Sequence, residues 1–226
     1  MTPAPAVAFL DVNETLSDLA PLADRFEQVG ASRHLLQTWF ASTLRDGIAH
    51  AASGGYAEFR RVAQAVLLTS LAEVPHLTTP PDEAAEHILA GMGTLSVHPD
   101  VPPGIRALHD AGVRVATLTN GGAAIAKGLL ERARLEDLVE RNVTVDEVQR
   151  WKPAPEPYRH ACRTLDVAEG DAVLIAVHPW DVHGAKRAGL RGAWLDRAGR
   201  PYPDHFERPD VTGRDLPELA RALVGQ

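Results

Sequence analysis

The residue of most chemical interest is an aspartate set in an otherwise apolar run, Val7-Ala8-Phe9-Leu10-Asp11-Val12. With a reference pKa of about 3.9, its carboxylate is ionised at neutral pH and available as a nucleophile. Alone, an Asp in this position is more often a turn or capping residue. Three further groups follow strand-like runs. Thr119-Asn120-Gly121-Gly122 offers a hydroxyl and an amide, Trp151-Lys152-Pro153 an ammonium, and His178-Pro179-Trp180-Asp181 an imidazole and a second carboxylate. Ligands of open α/β sheets bind at the carboxyl ends of the strands. The ordered set therefore converges on one rim, where Lys152 can hold Asp11. At ~4 Å and an effective dielectric of ~20 that attraction is roughly 4 kcal/mol before desolvation.

The elements needed to build such a rim are legible. Residues 7–12, 113–119, 142–145, 172–177 and 192–195 are short apolar runs of the kind buried on both faces of a parallel sheet. Helical periodicity separates them at 105–111, 123–135, 155–165, 182–188 and 216–224. This alternation predicts right-handed βαβ units and a doubly wound, Rossmann-like α/β core. Residues 21–95 break the rhythm with helical patterns at 22–29, 34–48, 56–73 and 82–92, punctuated by Gly54-Gly55 and Thr79-Pro80-Pro81. The expected organisation is a core of residues 1–20 and 96–226 with an inserted all-helical domain over 21–95. The stretch 201–209 is Pro-rich and reads as irregular.

Composition narrows the function. The chain has 226 residues, 45% hydrophobic and 23% charged, with a formal net charge of −7. That is a globular composition without the basic field that nucleic-acid or membrane-surface binding needs. The single cysteine, Cys162, excludes an internal disulfide and reads as a buried hydrophobe. The segment Met1–Leu10 has no basic n-region and only a short apolar stretch, so neither signal peptide nor membrane span is expected. A cytoplasmic enzyme is the expectation, and a homodimer is an admissible assembly. His178, Asp181 and His183 lack a further closely spaced ligand, so no metal site is read there. Gly91-Met92-Gly93 does not follow a strand and carries no dinucleotide fingerprint.

The ordered set resembles the haloacid dehalogenase superfamily over the whole chain. Asp11 with Thr15 and Leu16 matches its Asp-x-x-x-Thr-Leu motif, Thr119 its strand-end Ser or Thr, Lys152-Pro153 its Lys motif, and the loop from His178 to Asp181 its acidic fourth motif. The helical segment sits where members with the first type of cap place theirs. Two departures favour metal-free members. Asn13 stands where phosphatases carry a second Asp as general acid, and Ala176-Val177 where they carry a Gly-Asp pair for Mg²⁺. The form Asp-Val-Asn-Glu-Thr-Leu is similar to type II 2-haloacid dehalogenases, and also to azetidine-2-carboxylate hydrolase, which opens a strained ring by similar attack.

The resemblance implies attack on carbon of a small 2-substituted carboxylate, with (S)-2-haloacid dehalogenation the leading form. No cofactor is expected; Mg²⁺ enters only if the alternative, a small-molecule phosphatase, holds. In this reading Asp11 is the nucleophile, Thr15 fixes its loop, and Lys152 holds its carboxylate. Asp181 positions Lys152 or activates water. Thr119, Asn120, Asn13, the Val12 N–H, His178 and Trp180 contact substrate. A cap arginine is expected to offset the substrate's charge, Arg33 first, with Arg45, Arg60 and Arg61 as alternatives.

Overall fold

A computed structural model describes residues 3–225; Met1 and Thr2, the start of the segment read for a leader, lie outside them. Six strands form one parallel sheet: β1 (Val7–Leu10), β2 (Arg114–Thr119), β3 (Arg141–Thr144), β4 (Ala172–Ala176), β5 (Arg191–Leu195) and β6 (Val211–Gly213). Their order is β3-β2-β1-β4-β5-β6. The chain builds outward from β1 through β2 to β3, then crosses to β4 and builds outward the other way. The strand order thus reverses between β1 and β4, which is where open α/β sheets place their ligands.

Both faces of the sheet are covered, and β1 shows why its run is apolar throughout. Val7 and Phe9 enter one core, with Leu174, Tyr158 and Val182; Ala8 and Leu10 enter the other, with Ile105, Leu129 and Leu219. The covering helices are α5 (Val101–Asp110), α6 (Ala123–Ala133) and α9 (Leu216–Val224) on the second face, and α7 (Pro155–Thr164) and α8 (Pro179–Ala188) on the first. The sequence runs locate five strands to within a residue or two and miss β6. That strand is a three-residue edge, too short for a periodic signal.

Four helices follow β1 in succession: α1 (Leu22–Gln28), α2 (Leu35–Ala52), α3 (Phe59–Ala72) and α4 (Pro81–Met92). They pack chiefly on one another, burying Phe26, Trp39, Leu67, Leu71 and Ile88. The chain's way out and way back are tied together: Asp18 N–H donates to the Ser96 carbonyl at 2.9 Å and His98 N–H to the Leu16 carbonyl at 2.9 Å. Trp151 joins this four-helix segment to the sheet. Its ring stacks on Phe59 at 5.7 Å and its indole N–H donates to the Ala57 carbonyl at 2.9 Å. Among the described residues no helix is long and apolar enough to cross a membrane.

Candidate active site

Asp11 follows β1 directly, and its backbone N–H donates to the Ile175 carbonyl at 3.1 Å, carrying the β1–β4 pairing one residue past the strand. This aims its side chain into the crevice between the two strands. Lys152 arrives from the loop before α7 with its side chain fully buried. Its ammonium donates to Asp11 Oδ1 at 2.9 Å, to Asp181 Oδ2 at 2.6 Å and to the Leu118 carbonyl at 2.8 Å. Three donors meet three acceptors, so the buried ammonium is fully satisfied. The remaining Asp181 oxygen, Oδ1, accepts from the Tyr158 hydroxyl at 2.6 Å. Thr15 donates to Asp11 Oδ2 at 2.7 Å and accepts from the Val177 N–H at 3.1 Å, locking the β1 loop to the β4 loop.

Burial opposes every charge in this cluster, and the pairing decides which charges survive. Burial alone would raise the Asp11 carboxyl; Lys152 and His178 overcome it and hold the group well below the usual carboxylate range. Burial would lower Lys152, but the Asp11 and Asp181 carboxylates reverse this and keep it above its ordinary value. Asp181 goes the other way: burial and the Asp11 charge outweigh the help of Lys152, and its carboxyl is raised. A persistently ionised Asp11 is thus built into the site.

His178 stands at the solvent side of this cluster, as the N-cap of α8. Pro179 at the first helical position and Gly189 in the left-handed conformation beyond the last turn set the limits of that helix. His178 Nδ1 lies 3.3 Å from Asp11 Oδ2, and Nε2 lies 2.8 Å from Glu14 Oε2. Burial pulls the imidazole down, yet the two carboxylates prevail and push it up to about 9, so it carries a proton at neutral pH. Trp180 stacks on the ring at 5.1 Å, and Phe40 of α2 approaches it at 6.4 Å. A cavity of ≈ 440 Å³ reaches this point, lined by Glu14, Leu36, Phe40, Val177, His178 and Arg197 among others. A second, of ≈ 450 Å³, lies beside Arg45, His50, Tyr56 and Arg61 and touches none of the cluster.

The structure brings Asp11, Thr15, Lys152, Asp181, His178 and Trp180 together. Thr119 is buried nearby, its hydroxyl accepting from the Gly121 N–H at 2.9 Å. Asn13 is buried beside the same turn: a Cβ added at Gly121 would meet its Nδ2 at 3.5 Å. Val12 is buried, its carbonyl accepting from the N–H groups of Leu16 and Ser17. Asn120 is committed to Lys152: its Oδ1 accepts from the Lys152 N–H at 2.9 Å and its Nδ2 donates to the Lys152 carbonyl at 3.4 Å. The amide read as a substrate contact therefore sets the backbone from which the ammonium projects.

Arg33 is not brought to the cluster. It is 52% exposed and paired with Asp24 and Glu27, local acids of the same segment. Arg45 pairs with Asp46 and Arg60 with Glu86, also in the open. The cations beside Asp11 are instead Lys152 and His178; Arg197, which forms a two-pronged pair with Asp100, and Arg200 line the cavity that reaches His178. Arg197 follows the end of β5, so the strand-end rule that located the other groups applies to it as well. Tyr158 and Glu14 were not legible as site residues. Tyr158 reads as a packing aromatic until Asp181 faces it from another helix, and Glu14 fills a position that the first motif leaves open.

A buried Asp–Lys–Asp cluster at the switch point of this sheet places the chain in a class: it belongs to the haloacid dehalogenase-like hydrolase family, whose model matches residues 5–189. Within that family it is 26% identical over 219 residues to (S)-2-haloacid dehalogenase 1 of Pseudomonas sp. (strain CBS-3), spanning 95% of this chain and 92% of that one. An L-2-haloacid dehalogenase structure superposes with a TM-score of 0.89 at 25% identity, covering 100% of both chains. The fold is also that of the L-2-haloacid dehalogenase from Xanthobacter autotrophicus with chloropropionic acid covalently bound, at a TM-score of 0.87, 22% identity and 98% and 99% coverage.

Proposed function

We propose that the protein is an (S)-2-haloacid dehalogenase in which Asp11 displaces halide from C2 of a small carboxylic acid. The observation that carries this reading is the Asp11–Lys152–Asp181 cluster combined with Asn13 and Val177 at the positions expected to be acidic. A carboxylate held ionised by an ammonium is a ready nucleophile toward carbon. Asn13 has no proton to give a leaving alcohol, and halide needs none. Asn13 and Val177 also bring no carboxylate of the kind a hard cation prefers, which supports metal-independent chemistry.

In the first step an Asp11 oxygen bonds to C2 as the carbon–halogen bond breaks and the halide leaves with the electron pair. In the second, water attacks the Asp11 carbonyl carbon, releasing a 2-hydroxy acid and restoring the carboxylate. Lys152 steadies Asp11, and Asp181 and Asn120 position Lys152. The Gly121 and Gly122 turn at the start of α6, with Thr119 and Asn13 beside it, is suited to the substrate carboxylate. Residues 21–95 act as a cap over the core of 1–20 and 96–226, with the cavity at His178 and Phe40 between them. The setting is a cytoplasmic one, with a small anionic carboxylate as substrate.

The test is halide release from (S)-2-chloropropionate, run beside ring opening of azetidine-2-carboxylate and phosphate release from a generic phosphoester, each with EDTA or Mg²⁺. Halide release that survives EDTA supports the reading. Phosphate release that requires Mg²⁺, without halide release, moves the protein to the phosphatases.

A further inference from the structure

The cavity of ≈ 450 Å³ that touches none of the catalytic cluster has a chemistry of its own. Small-molecule sites span roughly 300–1,000 Å³, so a compact organic molecule fits it. It is a trough between α2 and α3. Val62, Ala65 and Val66, which share one face of α3, give it a hydrocarbon floor. Its rim is cationic, with Arg45 and His50 on α2 and Arg61 on α3. Among the described lining residues Asp46 is the only acid, and it is paired with Arg45 in the open at 2.8 Å. Among the described residues the Arg61 guanidinium has no ion-pair partner. On a chain of net charge −7, this local excess of cation is opposite in sign to the whole. An inorganic anion would leave the floor uncovered, and a neutral hydrocarbon would leave the guanidinium without an acceptor. An organic carboxylate with an apolar body satisfies both.

One end of the trough is where the helical segment is tied to the core. The Tyr56 hydroxyl, on the cavity wall, donates to Asp146. The Ala51 carbonyl accepts from Arg150 Nη1 at 2.8 Å, and the Ala57 carbonyl from Trp151 Nε1 at 2.9 Å. All three core partners belong to residues 146–151, which run directly into Lys152. The wall beside them is closely packed: a Cβ added at Gly55 would meet the His50 ring at 2.5 Å.

We infer that this trough is a second binding site, for an organic carboxylate with an apolar body, whose occupant slows turnover by holding the helical segment against the core. Bound there, the carboxylate bridges Arg61 of α3 and Arg45 of α2, and the body lies on Val62 and Val66. The bridge fixes the two helix ends whose connection carries Ala51, Tyr56 and Ala57, the three groups tied to the core. Asp11 and Lys152 are buried, so substrate enters and product leaves only when the helical segment lifts. An occupant that resists lifting slows release. The effect on turnover rests on the dehalogenase reading; the binding and the tightened joint do not.

The probe is benzoate, followed by titration calorimetry and amide hydrogen exchange on wild type, Arg61→Gln and Ala65→Trp. Wild type should bind it at one site, Arg61→Gln about tenfold more weakly, and Ala65→Trp, which fills the trough, not measurably. Benzoate should slow exchange at residues 51–57 in wild type alone. Neither variant touches the catalytic cluster, so both should release halide from (S)-2-chloropropionate at the wild-type rate. Benzoate should lower the wild-type kcat by about twofold or more at saturating substrate, and leave both variants unaffected. Equal binding to all three proteins, reversed by excess (S)-2-chloropropionate, would place benzoate in the catalytic crevice and overturn the inference. Inorganic sulfate binding as tightly as benzoate would overturn the ligand class. Binding that leaves exchange at 51–57 unchanged would overturn the regulatory role. Calorimetry and exchange need no turnover, so a wild type that releases no halide overturns the dehalogenase reading while these two measurements still decide the site.

Discussion

The Lys152 ammonium lies between two carboxylates, 2.9 Å from Asp11 Oδ1 and 2.6 Å from Asp181 Oδ2, with no part of its side chain exposed. One cation shared by two buried anions leaves the cluster dependent on that cation. Burying an ion pair is a poor source of net stability, but removing one partner leaves an uncompensated charge that costs about 3–5 kcal/mol. Lys152→Met should therefore be both inactive and less stable by about that amount at neutral pH, measured by urea denaturation. Its deficit should shrink at acid pH, where the orphaned carboxylates take up protons. A Met variant as stable as wild type at pH 7 would contradict this account of the cluster.

Asp11→Asn separates chemistry from stability at the same cluster. It removes the nucleophile's charge at nearly constant volume and leaves Lys152 with Asp181. Turnover should fall more than about a thousandfold, roughly 4 kcal/mol of transition-state stabilisation, with a cooperative unfolding transition retained. Deamidation back to Asp must first be excluded by mass. Residual activity above a tenth of wild type would remove Asp11 from the nucleophile's role.

The pH dependence of stability follows from His178. Its folded value is raised to about 9 from an ordinary 6.5, so the unfolded state loses the proton first as pH rises. The associated stability is fully present below about pH 6.5 and is lost as pH climbs through about 9, an upper bound of about 3 kcal/mol. His178→Gln should lack this alkaline decline. In Asp11→Asn, whose neutral amide resembles the ester, the His178 titration followed by NMR should move down by at least about one unit. An unmoved titration would show that Asp11 is not the dominant partner.

The arginines of the helical segment lead to a different expectation from the one their sequence positions gave. Arg33, Arg45 and Arg60 are exposed and paired locally; Arg197 is paired too, with Asp100, but it is less exposed and lines the cavity that reaches His178. Arg33→Ala, Arg45→Ala and Arg60→Ala should leave KM within about twofold, since these arginines are exposed and paired with local acids away from the cluster. Arg197→Ala should raise KM for a carboxylate substrate about tenfold. A large KM increase at Arg33 alone would instead mean that this arginine swings inward when substrate binds.

Legibility in the sequence tracked how local each signal is. Asp11 and Thr119 end strand-like runs and Lys152 and Asp181 come after others, so the rule that ligands gather at carboxyl strand ends brought them to one rim. The helical series between residues 21 and 95 was legible from its 3.6-residue period and from Gly54-Gly55. What escaped depends on partners distant in sequence. Tyr158 acquires its role from Asp181, 23 residues on, and Asn120 from the Lys152 backbone, 32 residues on. The local pairing of Arg33 escaped for a related reason: its partners Asp24 and Glu27 lie on a neighbouring helix whose orientation no periodicity reports.

The joint between the helical segment and the core can be tested at Gly47, in the middle of α2. A Cβ added there would meet the Trp151 ring at 2.2 Å, well inside van der Waals contact. Trp151 is buried, stacked on Phe59, and immediately precedes Lys152. Two effects of Gly47→Ala oppose one another. Alanine improves helix propensity by about 1 kcal/mol, while forcing a packed aromatic to shift costs about 1–3 kcal/mol. The ring is held by its indole hydrogen bond to the Ala57 carbonyl at 2.9 Å and has little room to yield, so overpacking should win. Gly47→Ala should lower stability by about 1–2 kcal/mol and reduce kcat as the shift passes to Lys152. Gly128→Ala in α6 is the matched control: its added Cβ meets only Arg132 Nη1, at 3.2 Å, so that guanidinium, which donates to the Leu95 carbonyl, has to give by no more than a few tenths of an ångström. That variant should gain up to about 1 kcal/mol with kcat unchanged. If Gly47→Ala is as stable and active as wild type, Trp151 is free to move, and it does not couple the helical segment to the catalytic lysine.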